Sequence, residues 1–264
     1  MELTLADGRQ LGYTTFGDPS GQPCLVVPGF NSSRLMPGWA FPHVPNKWLI
    51  AVDRPGYGHS TPHPGFTSWA NDAAALLTHL SVDRVSLLAT SMGAAPAYAL
   101  AATHPTRVVS TTILGGMGVV PSGFVPPNPG DAMYWRLARR APWLLRRMCG
   151  MTAMAIRKGG GLPGDMDDVL TEDIKSAFTA DVQEACRQGG RGMADDLLQY
   201  LRPWGFLLAD VRGPVYLWHG TEDPKVPVEL ARRVVEQLPD VTAHFVPGGH
   251  FAAMAHQDKI FAEI

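Results

Sequence analysis

The sequence predicts a doubly wound α/β fold, with a mostly parallel sheet and a helical cap inserted late in the chain. Two observations predict this fold. Short apolar runs bounded by turn residues alternate with helical patterns through residues 1–114, and the alternation resumes from residue 211. Between them, residues 115–210 contain helical patterns but no convincing strand. We therefore expect a core of residues 1–114 and 211–264, with residues 115–210 as the cap.

The short apolar runs are the expected strands. Several are nearly continuous in Val, Ile and Leu, which is typical of strands buried on both faces of a parallel sheet. The first two are expected to form an antiparallel meander. The runs are 2–5, 10–16, 24–27, 48–52, 85–89, 108–114, 215–218 and 242–246.

Helical patterns occupy the connections between these strands. Ligands on such sheets bind beyond the carboxyl ends of the strands, so we expect the functional residues in the loops at that edge. The patterns of the core cover residues 68–80, 92–103, 228–238 and the segment from 250 onward, and those of the cap cover 131–147, 165–178 and 192–201.

The bulk composition argues against several classes of function. Lys and Arg (22) nearly balance Asp and Glu (24), so no global field favours nucleic acid or an anionic membrane as a partner. The three cysteines are scattered, which favours a reducing compartment over a disulfide framework. The N-terminus lacks the pattern of a signal peptide, and no apolar run approaches the roughly 20 residues that span a bilayer. We expect a cytoplasmic protein, and the sequence does not indicate its oligomeric state.

Ser91 lies between a buried strand and a helix, in the segment Ala89-Thr90-Ser91-Met92-Gly93. A nucleophile on so sharp a turn needs small neighbours two residues away on either side, and Ala89 and Gly93 meet that need. The turn exposes the hydroxyl at the carboxyl edge of the sheet, where the helix N-terminus stabilises developing negative charge. Taken alone, the pattern also fits a serine that only caps a helix.

A second loop, Pro28-Gly29-Phe30, follows another buried strand. The oxyanion formed in acyl transfer needs two preorganised N–H donors, and the backbone amides of Phe30 and Met92 are the natural pair. By itself the Pro-Gly pair also fits an ordinary turn.

Two loops near the C-terminus supply a carboxylate and an imidazole. Asp223 follows the penultimate strand; the adjacent Glu222 is a rival, but the spacing of the motif favours Asp223. His250 follows the last strand, behind two glycines that let the chain present its ring. The order serine, acid, histidine, each just past the carboxyl end of a different strand, predicts a triad of Ser91, Asp223 and His250.

Together these motifs resemble the α/β-hydrolase family over essentially the whole chain. Residues 53–60, Asp-Arg-Pro-Gly-Tyr-Gly-His-Ser, are similar to the D-x-P-G-x-G-x-S turn of that family, and residues 202–206 resemble a subgroup of bacterial members. One departure is Pro28, which stands where many members have His. The resemblance implies an eight-stranded sheet, a cap between strands six and seven, and neither a cofactor nor a metal.

The expected function is hydrolysis of a carboxylic ester or lactone of a small, apolar substrate through an acyl-enzyme. An alkoxide leaves more easily than an amine, which favours an ester or lactone over an amide. Hydrolysis of a C–C bond, amide or peptide cleavage, cyanohydrin lysis and perhydrolysis use the same triad and stay open. So does a receptor-like relative that binds a ligand with little turnover. Epoxide hydrolases and haloalkane dehalogenases are disfavoured because their nucleophile is Asp.

Other conspicuous residues have simpler interpretations. Asp53 is interpreted as a carboxylate that caps a turn. The arginines of residues 136–147 are interpreted as a solvated helix face rather than a membrane or anion site. The Met and Trp residues of the cap fit the lining of an apolar acyl pocket and a separate core equally well.

Overall fold

The computed structural model describes residues 1–42, 44–159 and 172–264. Within these ranges the strands form one eight-stranded sheet. The strands are β1 (Glu2–Thr4), β2 (Gln10–Gly17), β3 (Gln22–Val27), β4 (Lys47–Val52), β5 (Val85–Thr90), β6 (Val108–Leu114), β7 (Val215–Gly220) and β8 (Val241–Val246).

The strand order is β1-β2-β4-β3-β5-β6-β7-β8. β2 pairs antiparallel with β1 and with β4, and the remaining neighbours are parallel. The chain places β4 on one side of β3 and then crosses to place β5 on the other. This reversal opens a crevice beyond the carboxyl ends of β3 and β5, where ligands bind in open α/β sheets. The predicted mostly parallel, eight-stranded α/β fold is confirmed.

Helices cover the sheet and fill the connection between β6 and β7. In the described part of that connection there are four α-helices, α4 to α7, and a short 3-10 helix, Leu208–Asp210, but no strand. The helices are α1 (Pro37–Ala40), α2 (Phe66–His79), α3 (Ala94–Thr103), α4 (Pro129–Arg140), α5 (Pro142–Arg157), α6 (Glu172–Ala185), α7 (Arg191–Tyr200), α8 (Val228–Val235) and α9 (Gln257–Glu263).

The core lies around the central strands. Leu25 and Val26 of β3, and Leu87 and Leu88 of β5, are inaccessible to solvent. Such continuous burial on both faces explains why these strands are apolar without alternation. Helix α3 is rich in alanine, whose small side chain lets the helix approach the sheet closely, and its residues 94–101 are buried. The sheet is therefore a rigid platform for the loops at its carboxyl edge.

The segment 131–147, expected to form one helix, belongs to two. Helix α4 ends at Arg140 and α5 begins at Pro142, with Ala141 between them at φ −148° and ψ 67°. Proline has no N–H to donate and disfavours helical geometry in the residue before it, but it fits the first position of a new helix. Of the predicted helix 165–178, residues 165–171 lie outside the described residues, and α6 extends beyond it to Ala185.

Buried polar contacts fasten α6 and α7 to loops at the carboxyl edge of the sheet. The carboxylate of Asp181 accepts hydrogen bonds from the backbone N–H (2.8 Å) and the hydroxyl (2.6 Å) of Ser33, in the loop after β3. The carboxylate of Asp196 pairs with Arg54, in the turn after β4, at 2.6 Å. These helices are thereby tied to the loops that follow β3 and β4.

Candidate active site

Ser91 occupies a strained turn directly after β5. Its φ is +49°, in the left-handed region that residues other than Gly rarely adopt. Such a backbone conformation costs on the order of 1–3 kcal/mol. The residue opens a short 3-10 turn, Ser91–Gly93, that leads into α3. This is the strand–turn–helix geometry expected for a nucleophile, and the side chain is only half-buried.

The backbone on either side of Ser91 approaches its neighbours closely. A Cβ on Gly93 would lie 2.3 Å from the carbonyl oxygen of Val27, and one on Gly29 would lie 3.0 Å from the Cβ of Ser91. Gly93 therefore leaves no room for a side chain, and a side chain at Gly29 would make its neighbours give way by a few tenths of an ångström. Ala89, where the family pattern has glycine, is fully buried at the end of β5, so the fold accommodates a methyl group there.

Asp223 and His250 meet at the same edge, from the loops after β7 and β8. The Nδ1 atom of His250 lies 2.6 Å from Oδ2 of Asp223, and the two side chains are 9% and 0% exposed. The other oxygen, Oδ1, accepts the backbone N–H groups of Lys225 (2.8 Å) and Val226 (2.9 Å). The rival carboxylate, Glu222, is exposed to solvent.

The electrostatic environment favours the ionised form of Asp223. Burial raises the pKa of this carboxyl. The hydrogen bond and charge of His250, with the two backbone donors, lower the pKa by more than burial raises it, so the net pKa lies below its ordinary value. An ionised Asp223 accepts the Nδ1–H of His250. In the neutral ring this leaves Nε2 without a proton, so Nε2 is the atom that can accept one.

Ser91 and His250 line one cavity of about 330 Å³, hereafter the Ser91 cavity. Among the described residues, no hydrogen bond joins the Ser91 hydroxyl to the imidazole. Catalytic hydrogen bonds often form fully only in the complex with substrate, so the absence of this bond is compatible with a nucleophile and its base.

The two predicted oxyanion donors also border this cavity. Phe30 lies in the loop after β3 and Met92 in the turn after Ser91, and both line the cavity. The hydrogen bonds of the described residues include no protein acceptor for either backbone N–H. Both donors are therefore available to a ligand.

The Ser91 cavity is mainly apolar. Among the described residues that line it, Asp131 and Lys225 carry a formal charge, His250 supplies an imidazole, and none is an arginine. Residues 160–171 contain neither Lys nor Arg in their sequence. The apolar lining is Phe30, Met36, Trp39, Ala40, Phe41, Met92, Leu114, Met117, Trp135, Ile156, Phe178, Val182, Met193, Leu197, Val226, Phe251, Ala253 and Met254.

Some of the Met and Trp residues between β6 and β7 line the Ser91 cavity, and others are exposed to solvent, which neither expected role describes. Trp135 of α4 and Met193 of α7 line the Ser91 cavity and are 3% exposed. Trp143 of α5, by contrast, is 70% exposed. Tyr134 and Thr152, which share a 2.7 Å hydrogen bond, add two hydroxyl groups to the lining that the sequence does not predict. Their positions carry no motif by which they could be recognised.

The structure also shows what Asp53 does. Its buried carboxylate accepts the backbone N–H of His59 (2.9 Å) and of Arg34 (2.7 Å), so it braces the turn after β4 as interpreted from the sequence. Within residues 1–42, 44–159 and 172–264, no three His, Cys, Asp or Glu side chains form a cluster able to hold a metal ion. Over the same ranges, no helix combines the length and apolar character needed to cross a membrane.

Comparison with known proteins identifies the family. The family model for the alpha/beta hydrolase fold matches residues 23–257, which is most of the chain. This chain belongs to the alpha/beta hydrolase fold family. The prediction that it is an α/β-hydrolase is thereby confirmed.

Relatives in this family carry different activities in their names. A 2-hydroxy-6-oxononadienedioate/2-hydroxy-6-oxononatrienedioate hydrolase of Dechloromonas aromatica is 26% identical over 217 residues, covering 80% of this chain and 72% of the relative. A probable proline iminopeptidase of Leptolyngbya boryana is 31% identical over 109 residues, covering 39% of this chain and 34% of the relative. An esterase from Rhodococcus sp. ECU1013 superimposes with a TM-score of 0.73 at 22% identity, covering 99% of this chain and 98% of the esterase; this similarity concerns the fold.

Proposed function

We propose that this hydrolase cleaves a carboxylic ester or lactone with a small, apolar acyl group, using Ser91 as nucleophile, His250 as general base and Asp223 as the acid behind it. The observation that carries the proposal is the meeting of three features at one apolar cavity. They are the strained Ser91 turn, the buried Asp223–His250 pair at 2.6 Å, and two backbone N–H groups without a protein acceptor among the described residues.

The mechanism follows from the protonation state of each group. Asp223 holds the proton of His250 on Nδ1, so Nε2 takes the proton of Ser91 as its Oγ attacks the carbonyl carbon. The amides of Phe30 and Met92 receive the developing oxyanion, and each such donor contributes about 3 kcal/mol to the stability of the transition state. The imidazolium returns its proton to the leaving alkoxide. A water molecule, deprotonated by His250, then hydrolyses the acyl-enzyme and restores the Ser91 hydroxyl.

The lining of the Ser91 cavity supports an uncharged acyl group. Binding a carboxylate in an apolar cavity without a cationic or hydrogen-bonding partner is unfavourable, and arginine is the side chain whose geometry best fits a carboxylate. The described lining has no arginine, and its single lysine, Lys225, already has an interaction partner. Aromatic and methionine side chains instead offer a surface that fits an apolar chain or ring.

Helices α4 to α7 are proposed to act as the cap of the active site, within an insertion of residues 115–210. Support comes from Trp135, Ile156, Phe178 and Met193, one residue of each helix, which line the cavity together with the catalytic loops. Substrate selection would then depend on this insertion, whereas the chemistry depends on the sheet loops.

Hydrolysis of a C–C bond is the second candidate, because two relatives that match 80% of this chain are named for it. Those names describe a dioate, a substrate with two carboxylates. The apolar lining of the Ser91 cavity does not favour a doubly charged substrate, so we place an ester or lactone first. A C–C substrate with an apolar group in place of one carboxylate would bring only one charge into this cavity.

A turnover screen tests the proposal. p-Nitrophenyl esters of graded chain length, lactones, amides and a 2-hydroxy-6-oxo-dienoate are compared with wild-type protein and with Ser91→Ala. We expect turnover of esters or lactones that is lost in Ser91→Ala. Preferential turnover of the dienoate would instead assign C–C hydrolysis. Tight binding of a ligand without product release would indicate a receptor-like relative.

A further inference from the structure

The loop after β3 contains a peptide group whose two ends face different partners. The Gly29 carbonyl and the Phe30 N–H belong to the same peptide, and this peptide is trans, as are the others in the described residues. In a trans peptide the C=O and the N–H point in opposite directions within one rigid plane. Whatever fixes the carbonyl of Gly29 therefore also fixes the direction of the proposed oxyanion donor.

Arg54 holds this carbonyl. Its Nη2 donates to the Gly29 oxygen at 2.6 Å, and the arginine is 2% exposed. A hydrogen bond from a charged guanidinium is shorter and stronger than one between neutral groups, and the dry surroundings strengthen it further. It also polarises the peptide, which makes the N–H of Phe30 a better donor. Gly29 has no side chain to restrict its backbone, so an external hold on this peptide matters.

The guanidinium is fixed in turn by a residue of α7. Its Nη1 lies 2.6 Å from each carboxylate oxygen of Asp196, and the hydroxyl of Tyr57 donates to Asp196 Oδ2 at 2.7 Å. Burial lowers the pKa of Arg54, but the charge of Asp196 more than offsets this, so the arginine stays cationic. An unbroken chain of buried contacts thus connects α7 with the Gly29–Phe30 peptide.

We infer that Arg54, seated by Asp196 of α7, is the positioning residue that orients the Gly29–Phe30 peptide for oxyanion binding. This inference rests on the proposed function, because it assigns a purpose to a contact of the oxyanion loop. Arg54 is not among the residues that line the Ser91 cavity. Its effect belongs to the transition state, where the carbonyl oxygen becomes negative, and not to binding of the ground state.

The decisive variants are Arg54→Lys and Asp196→Asn. Lysine keeps the charge but lacks the planar fork that reaches Gly29 and Asp196 together, and asparagine keeps the shape but lacks the charge. The matched control is Glu184→Gln, because Glu184 of α6 also pairs with a buried arginine of a sheet loop, Arg34, at 2.9 Å. The control removes a similar link between helix and loop without touching the Gly29 carbonyl.

Two readouts separate orientation from general damage. The first readout is whether the substitution changes kcat or KM, measured on a p-nitrophenyl ester that the wild type hydrolyses. The second is the inhibition constant of a trifluoromethyl ketone. When Ser91 Oγ adds to this ketone and His250 takes the serine proton, the ketone oxygen becomes an alkoxide in the proposed oxyanion site. Thermal unfolding of each variant reports its stability.

We expect both decisive variants to lower kcat by about 10- to 100-fold, part of the 10²–10³ lost when an oxyanion donor is removed, with KM changed less than about threefold. The inhibition constant of the ketone should rise by the same factor as kcat/KM falls, while Glu184→Gln alters neither. Should Arg54→Lys fail to fold, the comparison of Asp196→Asn with Glu184→Gln decides the question.

If the wild type is active and both decisive variants keep its kcat, the role of Arg54 is overturned but the proposed function is not. The role of Arg54 is also overturned if Glu184→Gln lowers kcat as much as Asp196→Asn does. It is likewise overturned if kcat falls in the decisive variants while the inhibition constant of the ketone stays unchanged. A wild type that neither turns over the ester nor forms the ketone adduct overturns the proposed function, and this inference with it.

Discussion

The imidazole of His250 donates its Nδ1–H to a buried oxygen of Asp223 at 2.6 Å, although the two residues are 27 positions apart. The contact arises because β7 and β8 are parallel neighbours, so the loops that follow them emerge side by side. Asp223 is held from behind by the backbone N–H groups of Lys225 and Val226. Two strands and one turn thus fix the direction of the ring that lines the cavity with Ser91.

The first prediction is that Asp223→Asn lowers kcat by up to about 10⁴ while the protein stays folded. An asparagine that presents its N–H to Nδ1 selects the wrong tautomer of the ring. An asparagine that presents its oxygen keeps the tautomer but lacks the negative charge with which Asp223 stabilises the imidazolium. The measurement is kcat on an activated ester, with thermal unfolding to confirm the fold.

Glu222→Gln is the matched control, because it makes the same chemical change at the next residue. Because Glu222 is exposed, we expect the kcat of the Glu222→Gln variant to stay within about twofold of wild type. If the glutamine variant were the inactive one, the acid would have been assigned to the wrong carboxylate.

The second prediction is that a fluorophosphonate probe labels Ser91 and no other serine. The probe reacts with an activated hydroxyl, and Ser91 combines an accessible position on a strained turn with a free imidazole nitrogen in the same cavity. Labelling is measured by mass spectrometry of the digested protein. Undiminished labelling of Ser91→Ala would refute the assignment.

The third prediction concerns the space around the Ser91 turn. Gly93→Ala should lower the free energy of unfolding by about 1–3 kcal/mol, because the new methyl would lie 2.3 Å from the carbonyl oxygen of Val27 and 2.8 Å from that of Pro28. The backbone of β3 must move to accept it, and with it the loop that carries Phe30. We therefore also expect a loss of kcat.

Gly150→Ala provides the control for this substitution. Gly150 is an exposed residue of α5 with open space where the new methyl group would lie, so the same change should raise stability by roughly 0.5–1 kcal/mol through helix propensity. Denaturant unfolding measures both variants. Equal unfolding midpoints for the two variants would contradict the steric cost expected at Gly93.

Local patterns explain how much of the fold could be predicted from the sequence. The apolar run 24–27 predicts a strand and lies within β3, Gln22–Val27, because parallel strands buried on both faces are continuous in apolar residues, and these four residues are inaccessible to solvent. The turn at Ser91 can be recognised because the small neighbours that it requires, Ala89 and Gly93, lie within the same five-residue segment. Even the break between α4 and α5 has a local signal in Pro142, which begins a helix rather than continuing one.

The contacts that the sequence does not predict join residues far apart in the chain. Asp181 meets Ser33 across 148 positions, and Asp196 meets Arg54 across 142. A buried aspartate on a helix has the same local pattern as a solvated one, so nothing in its sequence neighbourhood distinguishes them. Only the packing of α6 and α7 on the sheet loops reveals that these carboxylates are anchors.

The last prediction follows from the burial of one of these anchors. Asp181 is inaccessible to solvent, and its carboxylate accepts hydrogen bonds from Ser33, the Ser32 hydroxyl and Trp39 Nε1. Burial raises the pKa of this carboxyl, the hydrogen bonds lower it, and the net pKa is about 6 against an ordinary value of 3.8. The folded state therefore holds the proton more tightly than the unfolded state does.

Stability linked to Asp181 is then fully present below about pH 4 and is lost as the pH rises through about 6. A shift of this size corresponds to a loss of roughly 3 kcal/mol across that window. Asp181→Asn cannot ionise, so its free energy of unfolding should lack this contribution. The free energy of unfolding of wild type minus that of Asp181→Asn should accordingly fall as the pH rises from about 4 to 7, whichever protein is the more stable at the acid end.

Denaturant unfolding of both proteins at intervals across this pH range, at constant ionic strength, measures the difference. Asp195→Asn, which removes a carboxylate from the outer side of α7, controls for the change in net charge. A value of wild type minus Asp181→Asn that rises with pH would show that the carboxylate is stabilised as the anion. The hydrogen bonds from Ser32, Ser33 and Trp39 would then outweigh burial, and the anchor of α6 would strengthen, not weaken, toward neutral pH.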